Sequence, residues 1–256
     1  MKVLVIIGSP RTHGRTYKIV KMFEEYLNIY GVIETEYLYL RDLNIQSCRG
    51  CGICLERGEE YCPLKDDKTV IFDKMSSSDG VIIAVPNYSL QIPAITKNLF
   101  DRLSYVFHRP CFFHIAWVPI VTEGAFGYKE ILKYLNTVGE FWGFNICRGV
   151  GFTMPNYEVN VDNTDIMNKK IGEAAKRFYE KMVGLKSPSP NLKKLVIFRF
   201  VRTLHSFKTN KEYRDYQYYK ERGWFNSVYY YDVKLSLPKR MIGALIDKIA
   251  LRQARK

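Results

Sequence analysis

The chain has 256 residues, 47% of them hydrophobic and 25% charged, which excludes a collagen-like, disordered or disulfide-dense protein. Its formal charge of +13 is concentrated: residues 186–256 carry 17 Lys and Arg against 5 Asp and Glu, or +12, which leaves +1 for residues 1–185. No apolar run approaches the ~18 residues of a membrane-spanning helix, and the opening stretch is too short for a signal peptide, so a cytoplasmic protein with reduced thiols is expected.

In chain order, residues 2–7 form a β-branched run followed by a Gly/Ser/Pro loop. Residues 17–30 place Ile19, Val20, Phe23, Tyr26 and Leu27 at helical spacing. Residues 33–40 alternate as a strand does. Residues 81–85 read as a fully apolar strand, 95–107 as a helix, 115–121 as a strand and 128–141 as a helix. A short strand at 145–150 and a closing helix at 165–183 complete the pattern. This βαβα alternation predicts an α/β protein, its parallel sheet covered on both faces. Five strands fit a doubly wound, flavodoxin-like order 2-1-3-4-5. Ser187-Pro188-Ser189-Pro190 cannot continue a helix and reads as a linker. Two parts are therefore expected: a domain over residues 1–185 that includes a Cys-rich loop at 48–62, and a basic, aromatic-rich helical extension over 186–256.

In such sheets ligands bind beyond the carboxyl ends of the strands. The loop after the first strand, Gly8-Ser9-Pro10-Arg11-Thr12-His13-Gly14-Arg15-Thr16, lacks both the dinucleotide G-x-G-x-x-G and the P-loop Gly-Lys-Ser/Thr. It carries hydroxyls and two Arg at a helix N-terminus, a place suited to phosphate. The loop after the third strand, Pro86-Asn87-Tyr88-Ser89-Leu90-Gln91-Ile92-Pro93, sets an aromatic between prolines, fit to lie beside a flat ring or simply to form a surface turn. The loop after the fourth, Thr122-Glu123-Gly124-Ala125-Phe126-Gly127, has two Gly that permit close backbone approach. Together they describe a site for a phosphorylated planar ring.

These three loops, with Lys97-x-x-x-Asp101-Arg102, resemble the NADPH-dependent FMN reductase family of flavodoxin-like proteins over residues 1 to about 185. The resemblance implies that Ser9, Arg11, Gly14, Arg15 and Thr16 hold the FMN phosphate. It implies that Pro86, Asn87, Tyr88 and Ser89 meet the isoalloxazine, and that Thr122, Glu123, Gly124 and Gly127 close on it. Arg15 stands where the family usually has Asn, although an Arg can also pair with phosphate. The flavin, rather than a protein side chain, is expected to carry the chemistry.

Cys48, Cys51, Cys54 and Cys62 follow the pattern C-x2-C-x2-C-x7-C, with Pro63 after the last. Iron–sulfur clusters are held by thiolates at such spacings. A branch of the same family, the iron–sulfur flavoproteins, is similar in having four compact cysteines followed by an acidic pair, here Asp66-Asp67. That likeness implies a [4Fe–4S] cluster exchanging electrons with FMN, a homodimer or larger assembly, and NAD(P)H or ferredoxin as donor. The alternatives are a cluster-free NAD(P)H-dependent FMN or quinone reductase with an empty or redox-active thiol loop, and a structural zinc, although the usual paired Cys knuckles are absent. Cys51-x5-Arg57 has phosphatase-loop spacing but lies far from the first strand. Cys111 and Cys147 read as small buried residues.

Asn191 is a helix cap before Leu192, Leu195, Val196, Phe200, Val201 and Leu204. A second helix is predicted over 239–254. The Tyr/Trp-rich segment from Tyr213 to Tyr231 suggests an interface. The plain reading of the extension is packing on the body or on a second subunit. Basic amphipathic helices also bind anionic membranes, and basic–aromatic mixtures bind nucleic acid.

Overall fold

A computed structural model describes residues 1–154, 161–184, 187–207 and 211–254, with side chains of 161–164 left aside. The expected domain boundary at 185–186 lies outside the described residues. The chain divides into two compact units: Met1–Arg49 with Leu64–Lys186, and Gly50–Pro63 with Ser187–Lys256. The Cys-rich loop, read from sequence as part of the first domain, thus falls mostly in the second unit. The physical reason is that its short helix packs on a helix from the C-terminal segment.

The elements in order are β1 (Lys2–Ile7), α1 (Arg15–Asn28), β2 (Glu34–Tyr39), α2 (Ile53–Glu56), α3 (Lys68–Ser76), β3 (Gly80–Pro86) and α4 (Ala94–Arg102). There follow β4 (Ala116–Glu123), α5 (Tyr128–Trp142), β5 (Asn145–Ile146), β6 (Val150–Thr153), α6 (Val161–Val183), α7 (Leu192–Ser206), α8 (Arg214–Glu221) and α9 (Leu237–Ala254).

The first unit is an α/β fold with a parallel sheet in the order β2-β1-β3-β4-β5, and β6 also pairs with β4. Period-two alternation sends Val3, Val5 and Ile7 into a core with Ile19, Phe23 and Phe178 from α1 and α6. In another part of the core Trp117 packs against Trp142 and Phe144. Gly139 makes room there, since a Cβ would come within 2.8 Å of the Trp117 ring.

The fifth strand is two pieces. Asn145–Ile146 pair with Ala116–Trp117, but Val150 pairs with Ile120, so the register slips by one residue. Such an extra residue is a bulge. It lies beside Pro119, which has no N–H to donate. Gly149 fits there because a Cβ would meet Pro119 Cγ at 2.5 Å. Helix α3 carries no clear helical periodicity in Lys68-Thr69-Val70-Ile71-Phe72 and is visible only through its buried Ile71 and Met75.

In the second unit α7 packs along α9. Asn191 Oδ1 caps α7 by accepting from Lys194 N at 2.9 Å. Asp247 of α9 accepts from Arg199 Nε (3.1 Å), Arg202 Nη2 (2.6 Å) and Thr203 Oγ1 (3.0 Å) of α7. Several aromatics expected at an interface instead form a core: Tyr219, Trp224 and Tyr229 are buried. Trp224 meets Tyr219 edge-on at 4.9 Å and donates Nε1–H to Tyr230 O. Burial of these rings removes more apolar surface from water than an exposed stripe could.

Candidate cofactor site

Beyond the carboxyl ends of β1, β3 and β4 lies an open cleft of about 130 Å³. Its lining is Ser9, Arg11, Gly14, Arg15 and Thr16 from the first loop, Pro86, Asn87 and Tyr88 from the second, and Thr122, Glu123 and Gly124 from the third. Ser89 and Gly127 stand outside this lining. Ser89 occupies the tip of a turn, and Gly127 (φ 111°) precedes α5, where a Cβ would come 2.9 Å from Asn87 Nδ2 and Leu90 Cδ2.

The first loop leaves β1 through Gly8, whose N–H donates to Ala84 O at 2.8 Å. A Cβ at Gly8 would meet Thr96 Oγ1 at 2.2 Å, so the turn needs glycine. Ser9 Oγ then accepts from Arg11 N at 3.0 Å and fixes the bend. Helix α1 begins after Gly14 with no side-chain cap and no acidic residue in its first turn. Its N-terminal donors and dipole favour an anion. Arg11 is exposed at this end, whereas Arg15 Nη1 donates to Met154 O.

The floor is a buried hydrogen bond between Thr16 Oγ1 and Thr122 Oγ1 at 2.7 Å. Asn87 N donates to Thr122 O at 2.7 Å and draws the second loop onto the third. Its Nδ2 donates to Glu123 Oε2 (3.1 Å) and Phe126 O (2.9 Å). Both partners are acceptors, which fixes the amide orientation. Asn87 Oδ1 is buried with no hydrogen-bond partner among the described residues. Tyr88 and Gln91 exchange backbone hydrogen bonds of 2.9 and 3.0 Å across Ser89 and Leu90. Both turn residues have positive φ, 51° and 64°, as a type I′ turn requires. The turn presents Tyr88 and Leu90 to solvent.

Glu123 is buried and accepts from Tyr128 N (2.6 Å), Asn87 Nδ2 and Thr153 Oγ1 (2.9 Å). It holds the first N–H of α5 and braces three segments while also lining the cleft. Thr153, Met154 and Thr96 carried no sequence signal, because each acts through one contact with a distant residue.

Asp66 and Asp67 close the base of the Cys-rich excursion. Asp66 accepts from Gln46 N at 3.0 Å, and Asp67 Oδ2 accepts from Asn44 N at 2.8 Å. Burial pushes the Asp66 carboxyl up, but the Arg102 guanidinium and the Gln46 and Lys68 N–H groups outweigh it, leaving it below the usual value. Of the four cysteines, Cys48 and Cys51 are exposed, Cys54 is half-buried and Cys62 is buried. Gly50 and Gly52 take positive φ.

A model of the NADPH-dependent FMN reductase family matches residues 1–159. The chain is 29% identical over 226 residues to an iron-sulfur flavoprotein of Archaeoglobus fulgidus, covering 88% of this chain and all of that one. Among solved structures it is similar to RosB with a bound 8-demethyl-8-formylriboflavin-5'-phosphate intermediate (TM-score 0.56, 12% identity, 93% of this chain and 92% of that one). It is also similar to the apo form of an NADH:FMN oxidoreductase, EMOB (TM-score 0.52, 20% identity, 75% and 98%). These two structures share the flavodoxin-like fold.

Proposed function

The chain belongs to the NADPH-dependent FMN reductase family and is an FMN-dependent oxidoreductase; on that premise we propose that it is an electron-transfer flavoprotein in which FMN fills the cleft and Cys48, Cys51, Cys54 and Cys62 hold a [4Fe–4S] cluster. The observation that carries the flavin assignment is the convergence of three strand-end loops on one cleft that begins at the uncapped N-terminus of α1. Arg11 and the N–H groups of α1 would bind the phosphate, with Ser9 shaping their loop. Pro86, Asn87 and Tyr88 would flank one side of the ring, and Thr122, Glu123 and Gly124 would hold the loop opposite. Bound FMN would accept a hydride from NAD(P)H and pass on electrons singly or in pairs. The protein's part is to position that ring and exclude water from it.

The cluster assignment rests on cysteine spacing and on the positive φ of Gly50 and Gly52. The exposure of Cys48 and Cys51 favours a second reading, a cluster-free reductase. Absorption spectra with iron and sulfide analysis after anaerobic purification decide between them. Loss of iron on any single Cys→Ala with FMN retained supports the cluster. Failure of the wild type to take up iron on anaerobic reconstitution rejects it. Arg11→Ala should weaken FMN by ~1–3 kcal/mol. Unchanged affinity removes Arg11 from the site.

The donor is NAD(P)H or ferredoxin, and the assembly is a homodimer or larger homo-oligomer. The exposed Tyr88, Leu90 and Phe126 (70% exposed) at the cleft rim support the dimer, since a second subunit would cover them. Light scattering that finds only a ~30 kDa species rejects it.

A further inference from the structure

No helix among the described residues is long and apolar enough to cross a membrane, yet α9 carries an exposed apolar ridge away from the side that packs on α7. Gly243, Asp247 and Ala250 lie on the side that packs towards α7. Leu237, Met241, Leu245 and Ile249 recur every fourth residue and form a ridge that is 41–68% exposed. Cations stand beside this ridge: Arg240, Lys248 and Arg252 are exposed on the same helix. At the N-terminal end of α9, Arg199, Lys239 and Arg240 line a cavity of about 210 Å³ with Val228, Leu235 and Gly243. Gly243 leaves that space open, since a Cβ there would come 3.3 Å from Arg199 Nε.

We propose that α9 and this cationic cavity form a docking surface for an anionic lipid bilayer. Leu237, Met241, Leu245 and Ile249 would enter the acyl boundary while Lys239, Arg240, Lys248 and Arg252 meet headgroup phosphates, with their stems snorkelling. Charge selects this occupant. Residues 186–256 carry +12, so a second copy laid on the same ridge would bring like charge against it, whereas an anionic surface neutralises it. The proposal is independent of the flavin and cluster assignments.

The test is sedimentation of the purified full chain with phosphatidylcholine vesicles, with and without phosphatidylglycerol, at low and high salt. The expected result is salt-sensitive binding to the anionic vesicles, weakened roughly tenfold or more by the double variant M241E/L245E. Both side chains are exposed, and far-UV circular dichroism checks the fold. Should that variant misfold, R240E/K248E reads the electrostatic half, and the same loss is expected. Absence of wild-type binding, or binding indifferent to these variants, overturns the proposal. So does light scattering in which M241E/L245E turns a wild-type dimer into a monomer, because a second copy would then cover the ridge.

Discussion

Arg102 grips Asp66 from two sides: Nε donates to Oδ2 at 2.8 Å and Nη2 to Oδ1 at 3.2 Å. The two side chains are 3% and 0% exposed. Arg102 Nη2 also donates to Leu64 O, so one guanidinium at the end of α4 holds the strand-side return of the Cys-rich excursion. The Lys97-x-x-x-Asp101-Arg102 pattern thus divides into two roles. Lys97 and Asp101 pair on the helix surface, while Arg102 turns inward.

Arg102→Ala should destabilise the chain by about 3 kcal/mol, because it leaves a buried carboxylate without its partner. Urea unfolding measures this, and limited proteolysis between residues 47 and 63 should accelerate. Little change in either would assign the pair no structural weight.

The same pair sets a pH dependence. The Asp66 carboxyl lies below its ordinary 3.8 in the folded chain. Its stabilisation is therefore present above the unfolded pKa of 3.8 and is lost as pH falls through the lower, folded value. Stability measured against pH should decline below 3.8 in the wild type and be flatter there in Arg102→Ala. Parallel curves would show that other carboxylates govern the acid limb.

Glu123→Gln should cost about 1–3 kcal/mol, since an amide places N–H₂ where the carboxylate accepts from Tyr128 N, Asn87 Nδ2 and Thr153 Oγ1. Flavin retention should fall with it as the third loop loosens. Thermal melts with and without added FMN separate the two effects.

Gly8→Ala should destabilise by ~1–3 kcal/mol through overpacking against Thr96 and Val85. The damage begins at the phosphate loop, so flavin content should drop even where the fold survives. Full flavin occupancy in the variant would show that the loop tolerates the shift.

Leu90→Asn should leave stability unchanged or raise it by up to ~1 kcal/mol. Leu90 holds φ 64°, which Asn adopts more readily, and its side chain is exposed. A lower melting temperature would mean that its contact at Gly127 outweighs the backbone strain.

The strand-end loops around Gly8, Pro86 and Thr122 were legible in the sequence because β-branched runs and Gly/Pro punctuation are local signals. So was the cap at Asn191. The roles within those loops were not. Glu123 reads as a ligand contact in the sequence and lines the cleft, but its further role as a brace was not legible, because its partners lie 5, 30 and 36 residues away. Helix α3 and the bulge beside Pro119 also depend on neighbours from other elements. Asp66-Asp67 announced itself as an acidic pair, but only the packed structure joins it to Arg102 and to residues 44–46. The tyrosines of the C-terminal segment likewise turn inward once α7 and α8 supply partners. Local periodicity fixes which face of an element is apolar; which distant polar atom satisfies a buried charge is decided only when the chain is packed.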